Sequence, residues 1–320
     1  MDAPLKFLPY FKSTIWGGNR ISRFKNLSSN CSSIGESWEL SDIDGCESIV
    51  AEGTHLGMTL SALTEKYGEQ LLGKKVYGKF GPKFPLLLKF IDARQDLSIQ
   101  VHPDDKLAMK RHSSLGKTEM WYVLETSEGA KIRTGLKYSI TPDEYTLRVR
   151  ENTLTDVIGC YDSHPGDVYY LPAGRLHAIC AGNFLIEVQE SSDITYRVDD
   201  YGRRDADGNL RELHTELAKD AIDYSYYDGC KSEATVLTET TKKLVKCDYF
   251  NVKIEEVSEE RTIINTDDSF MALTCLNGDG YISTEVKAVK VKQGETVLVP
   301  AKLNEFKVGG SATFLTITVP

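Results

Sequence analysis

Short runs in which apolar and polar residues alternate dominate this chain. In LSIQVH (97–102), Leu97, Ile99 and Val101 alternate with Ser98, Gln100 and His102, so Gln100 and His102 share one face of a strand. The run just before it, PLLLKFID (85–92), is apolar enough to be buried. EMWYVLE (119–125), DVYYLPA (167–173) and FLIEVQE (184–190) read as further strands. Turn residues separate them: ARQD at 93–96, EGA at 128–130, HPG at 164–166 and AGN at 181–183. Helical spacing is rarer. TLSALTEKYGEQLLG (59–73) opens on Thr and stops on Gly, and PDDKLAMKRHSS (103–114) and ELHTELAKDAIDY (212–224) are two more. Many short strands with few helices point to an antiparallel barrel or sandwich.

A weak repeat divides the chain. GDVYYLPAG (166–174) is echoed by GETVLVPAK (294–302), 128 residues later, a spacing that suits two related barrels. The polar segment 225–243 lies between them. The expected division is therefore 1–224, an N-terminal barrel with helical elements, and 225–320, a linker and a C-terminal barrel. His177 follows the first copy, and Glu305 stands at the aligned place in the second. Only the first barrel is expected to keep metal chemistry.

Composition narrows the class. The 320 residues suffice for two domains. No apolar run approaches the ~18 residues of a membrane helix. The opening MDAPLKFLPYFKSTIW has no basic start, apolar stretch or cleavage site, so no signal peptide is expected. Seven scattered cysteines without a CxxC pair read as reduced thiols of a cytoplasmic protein. The net charge of −9 argues against a nucleic-acid partner. A small anionic substrate would need a local cluster of Lys and Arg.

The candidate chemistry lies on strand faces. Gln100 and His102 share one face, Glu119 lies on the Trp121 side of its strand, and His177 follows a Pro-Ala-Gly turn. Two imidazoles, a carboxylate and an amide oxygen suit Zn²⁺ or a related divalent ion. A lone strand histidine is more often a hydrogen-bonded filler. The spacing of Gly166, Pro172, Gly174 and His177, however, matches the second cupin motif through its histidine. Ala181 stands where that motif usually has Asn, and the usual HxH of the first motif is altered to Gln100-Val101-His102.

QVHPDD, KTEMWYV and YYLPAGRLHAI, together with the opening PYFKSTIWGGNRI and IGESWELSD (34–42), resemble type I phosphomannose isomerases. The likeness runs from about residue 5 to about 205, with the C-terminal barrel matching more loosely. The long helical insertion of larger members is missing, so the chain resembles the short bacterial form. The resemblance implies two cupin-type jelly-roll barrels with a few short helices. It implies a zinc-dependent interconversion of mannose 6-phosphate and fructose 6-phosphate through a cis-enediol, with one Zn²⁺ per chain. It makes Gln100, His102, Glu119 and His177 the ligands, and it places a catalytic arginine at Arg197. A monomer or weak homodimer is expected.

Aldose–ketose isomerisation also needs a base and a phosphate anchor. Glu187 and Gln189 share one face of their strand and Ile186 and Val188 the other, so Glu187 either is the base, its pKa expected to rise on burial, or only pairs with a cation. Lys89 lies in a run too apolar to leave an ammonium unpaired. Lys117, two residues before Glu119, should share its face. Both lysines match pocket positions of the family, and with Arg197 they form the expected cationic set. Arg203 and Arg204 could contact phosphate or sit in a solvated loop. His55, His112, His164 and His214 are expected to be structural or solvent-facing, and Trp16 and Trp38 to pack under the barrel. Two rival readings keep the fold. An iron-dependent cupin oxygenase usually needs the intact HxH, and a non-catalytic sugar-binding cupin would not need four ligands on three segments.

Overall fold

A computed structural model of the chain describes residues 1–27, 33–204 and 207–320. Two sheets face each other in its N-terminal part. A seven-stranded sheet runs in the order Lys231–Ser232, Val168–Leu171, Glu119–Thr126, Asn183–Glu190, Leu86–Ala93, Tyr10–Gly18 and Ile34–Leu40. A five-stranded sheet runs Tyr196–Asp199, Ile99–Val101, His177–Ile179, Lys131–Leu136 and Ile158–Asp162. All the pairings in both are antiparallel. A ten-stranded sheet forms the C-terminal barrel. The fold is thus mainly β with a few short helices, as expected.

Period-two patterning sorts the side chains. From Leu86–Ala93, Leu86, Leu88 and Phe90 face an outer core shared with the helices near residues 60–80 and with Leu244, Val252 and Leu315 of the C-terminal barrel. The other face carries Lys89 and Ile91, and Ile91 joins Trp121, Val123, Ile179 and Leu185 between the two sheets. Ile99 and Val101 pack outward against Tyr145, Ala218 and Ile222. That outer core is what turns Gln100 and His102 inward.

The helix expected over 59–73 is broken. Thr59 caps it, its hydroxyl accepting from the Ala62 amide at 3.1 Å, and Gly73 (φ +92°) ends it as expected, but Gly68 (φ +45°) splits it into Leu60–Tyr67 and Glu69–Leu72; a further helix, Lys74–Phe80, follows. Both glycines adopt backbone that other residues rarely take. The helix expected over 212–224 shrinks to Thr215–Lys219. The chain on either side is claimed elsewhere: the His214 amide bonds to the Arg197 carbonyl, and the Asp223 amide to the Gly174 carbonyl.

Strand pairing crosses the boundary expected at 224/225. Leu5–Leu8 pairs with Thr296–Val299, and Lys231–Ser232 extends the seven-stranded sheet. The repeat has a geometric counterpart. Gly166 and Gly294 both turn the chain at positive φ, +90° and +81°, into Val168–Leu171 and Thr296–Val299. Yet the C-terminal barrel is filled by Leu273, Val291, Val297, Phe306 and Phe314, all buried, and Glu305 is exposed.

Candidate active site

Three strands bring the site together. Glu119 opens Glu119–Thr126, His177 opens His177–Ile179, and His102 directly follows Ile99–Val101. Their ligand atoms all lie within 4.8 Å of one another, and all three residues are buried. His102 Nδ1 lies 2.9 Å from the Ile194 carbonyl and His177 Nδ1 2.8 Å from the Arg175 carbonyl. A carbonyl only accepts, so each ring carries its proton on Nδ1 and presents the Nε2 lone pair inward.

Those lone pairs face a carboxylate. His177 Nε2 lies 3.2 Å from Glu119 Oε1 and His102 Nε2 3.5 Å from Oε2, and neither carboxylate oxygen accepts a hydrogen bond. Burial lowers the His177 pKa to about 4 and raises that of Glu119 to about 7; His102 is also pushed well below its usual value, by burial and then by Lys117. Neutral imidazoles and a carboxylate converging in a buried pocket are the donor set of a metal site. Gln100 pairs with His177 across the strands, its amide nitrogen 3.3 Å from His177 Nε2. Turning the amide presents its oxygen to the same point.

The expected cations split into two groups. Lys117 Nζ lies 3.2 Å from both Glu119 Oε2 and His102 Nε2. Lys89 Nζ lies 3.3 Å from Glu187 Oε1 and 4.8 Å above the Trp38 ring. Trp121 donates its indole N–H to Glu187 Oε2 at 2.8 Å. This corrects one expectation. Burial does push the Glu187 pKa up, but Lys89, Lys117 and Trp121 outweigh it and hold the carboxyl below its ordinary value. The cross-strand register that sets Lys89 opposite Glu187 is the cause.

A cavity of about 330 Å³ opens onto these residues. Gln100, Lys89, Lys117, Glu187 and Arg197 line it, and so do Trp16, Lys12, Glu36, Asp193 and Arg211. Arg197 is held by its Nη1 on the Glu212 carbonyl, 2.9 Å, and by its amide N–H on His214 Nδ1, 3.2 Å. Arg211 and Arg203 both grip Asp200. Arg203 also bonds to the Asp96 carbonyl and Arg204 to that of Gly208, and neither lines the cavity. Trp38 is buried beneath Lys12 and Lys89 rather than in an apolar layer.

Residues 5–129 match the catalytic domain of type I phosphomannose isomerase, and residues 240–319 match the cupin domain of mannose-6-phosphate isomerase. The mannose-6-phosphate isomerase ManA of Bacillus subtilis is 34% identical, with 97% of this chain and 96% of the relative aligned. The chain belongs to the type I phosphomannose isomerase family. The mannose-6-phosphate isomerase of Streptococcus mutans, another relative of full length, is 30% identical over 97% of this chain and 96% of its own. The crystal structure of the Bacillus subtilis mannose 6-phosphate isomerase superposes with a TM-score of 0.89 at 33% identity, covering 98% of this chain and 99% of that one. The Salmonella typhimurium enzyme in its apo form, 14% identical with a TM-score of 0.79, shares the fold. As a type I phosphomannose isomerase the chain is an enzyme acting on a small sugar phosphate, and its buried His102, Glu119 and His177 form its metal site.

Four charged cavity residues of this isomerase escaped the sequence reading: Lys12, Glu36, Asp193 and Arg211. Lys12 and Glu36 lie in PYFKSTIWGGNRI and IGESWELSD, so those two family motifs were the available signal. Asp193 and Arg211 sit in loops with no periodicity to read.

Proposed function

We propose that this isomerase interconverts mannose 6-phosphate and fructose 6-phosphate through a cis-enediol, using one Zn²⁺ held by Gln100, His102, Glu119 and His177. The observation that carries the reading is the convergence of two Nε2 lone pairs on a carboxylate that accepts no hydrogen bond. Lys117 offsets part of that charge from one side, and a His₂Glu donor set with an added amide oxygen suits zinc. Bound there, the ion supplies Lewis acidity at the sugar's O1 and O2.

The chain's own residues do the rest. Five cations line the cavity, Lys12, Lys89, Lys117, Arg197 and Arg211, against three carboxylates, Glu36, Glu187 and Asp193. The surplus of two matches a dianionic phosphate ester, which the protein's overall charge of −9 would otherwise repel. Arg197 offers a guanidinium to an oxyanion of the substrate. Glu187 is the candidate base. It is ionised at neutral pH, and Trp121 and Lys89 fix its direction. The six described cysteines are all free, which supports a reducing, cytoplasmic setting.

The test is a coupled assay of the purified chain on mannose 6-phosphate. Activity should disappear on chelation and return with Zn²⁺. Activity untouched by complete metal removal would refute the reading.

A further inference from the structure

The C-terminal barrel supplies no residue to the cavity, yet one of its side chains reaches the support of the site. Tyr249 lies on the turn between Thr241–Lys246 and Asn251–Val257. Its hydroxyl donates to Asp105 Oδ2 at 3.1 Å. The other oxygen of the same carboxylate accepts the Gly116 amide at 2.8 Å. One carboxylate therefore ties the second barrel to the backbone one residue before Lys117.

The next two amides are held as well. The Lys117 amide bonds to the Pro103 carbonyl at 3.1 Å, and the Thr118 amide donates to Glu190 Oε1 at 2.7 Å. The Thr118 hydroxyl accepts the Ala173 amide, in the turn that leads to His177, at 3.3 Å. Gly116 leaves no slack. A Cβ there would stand 2.5 Å from the Asp105 amide nitrogen. Three consecutive backbone amides are thus fixed just before Glu119, two by the segment 103–105 and one by Glu190, and in that register Lys117 meets Glu119 and His102.

We infer that Tyr249 is a positioning residue of the isomerase, acting through Asp105 to hold the Gly116–Glu119 segment so that Lys117 and Glu119 converge with His102. The inference rests on the roles assigned above to Lys117 and Glu119. It gives the C-terminal barrel a part in the reaction.

The test is Tyr249→Phe in the full chain, which removes one oxygen and keeps the ring. Hydrogen exchange followed by mass spectrometry should show the Gly116–Glu119 amides exchanging about tenfold faster. On mannose 6-phosphate kcat should fall about tenfold, the scale at which groups behind metal ligands act, with KM within about twofold. Asp105→Ala removes both contacts, so Asp105→Ala combined with Tyr249→Phe should lose no more than Asp105→Ala alone. Lys79→Met removes the ammonium 5.3 Å above the Tyr249 ring and leaves the hydroxyl; it should change neither readout. Unaccelerated exchange over 116–119, or wild-type kcat in Tyr249→Phe, would overturn the inference. Inactivity of the wild-type chain on this sugar would refute the isomerase reading alone, since the exchange readout needs no turnover.

Discussion

Lys89 and Glu187 stand opposite each other on neighbouring antiparallel strands, Nζ 3.3 Å from Oε1, with both side chains buried. The nearest other carboxylate, Glu36, is 3.9 Å from Lys89. Burial alone would lower the Lys89 pKa, but Glu187 and Glu36 hold it above its ordinary value. Each charge is tolerated inside because the other is there.

Glu187→Gln or Lys89→Met should therefore each cost about 3–5 kcal/mol, the usual penalty of leaving one partner of a buried pair. The double variant should regain most of that loss in urea unfolding. Because the folded-state pKa of Glu187 lies below its ordinary 4.5, its contribution is complete above that pH. It is lost as pH falls through the folded value. The gap between wild type and Glu187→Gln should close in acid. Single variants as stable as wild type would show that the pair is not what holds these charges.

Arg197 carries a narrower prediction. Its backbone is pinned by Gln100 across the strands and by His214, so the guanidinium has a fixed origin on the cavity wall. Arg197→Ala should lower kcat at least about a hundredfold, the scale of one lost oxyanion donor. Lys89→Arg should not support turnover, because a planar fork cannot replace a compact ammonium above Trp38 and beside Glu187. Near-normal kcat in Arg197→Ala would place the oxyanion contact elsewhere.

Metal content tests the asymmetry between the barrels. Among the described residues, the one cluster of three His, Cys, Asp or Glu side chains able to hold an ion is His102, Glu119 and His177. One ion per chain is expected by elemental analysis. His177→Ala should bring the content well below one while most of the fold survives, and Glu305→Ala should change nothing. A second tightly held ion lost with Glu305 would overturn the assignment of the C-terminal barrel as metal-free.

Much of the site was legible because its residues lie on strands with one strongly apolar face. Ile99 and Val101 bury outward, so Gln100 and His102 must point in, and Ile186 and Val188 do the same for Glu187. What stayed hidden depends on pairing across long sequence distances. The charge state of Glu187 follows from Lys89, 98 positions earlier, and nothing local marks that register. Asp193 and Arg211 reach the cavity from loops; Arg211 is held there, with Arg203, by Asp200, and Asp193 pairs with Lys12 at 3.3 Å. The helix over 59–73 failed for a different reason. Its amphipathic spacing is real, and one glycine at positive φ, Gly68, breaks it before the expected stop at Gly73.

The last prediction concerns Glu190, at the end of the strand that carries Glu187. Its Oε1 accepts the Thr118 amide, while Oε2 is buried with no hydrogen-bond partner. Asp105, Tyr249 and Cys247 are its titratable neighbours. Burial raises its pKa to about 8, with Asp105 adding to the rise and the Thr118 amide opposing it. Between the ordinary 4.5 and that value, the folded chain holds a proton that the unfolded chain has released. Stability must then fall as pH rises through this window, the opposite of the Glu187 case. Glu190→Gln keeps an acceptor for Thr118 and cannot ionise. It should match the wild type near pH 5, exceed it in thermal midpoint by pH 9, and flatten the wild type's decline in between. Midpoints measured across that range decide the matter. Parallel curves for the two proteins would mean that Glu190 is already ionised at neutral pH and that its buried oxygen finds another partner.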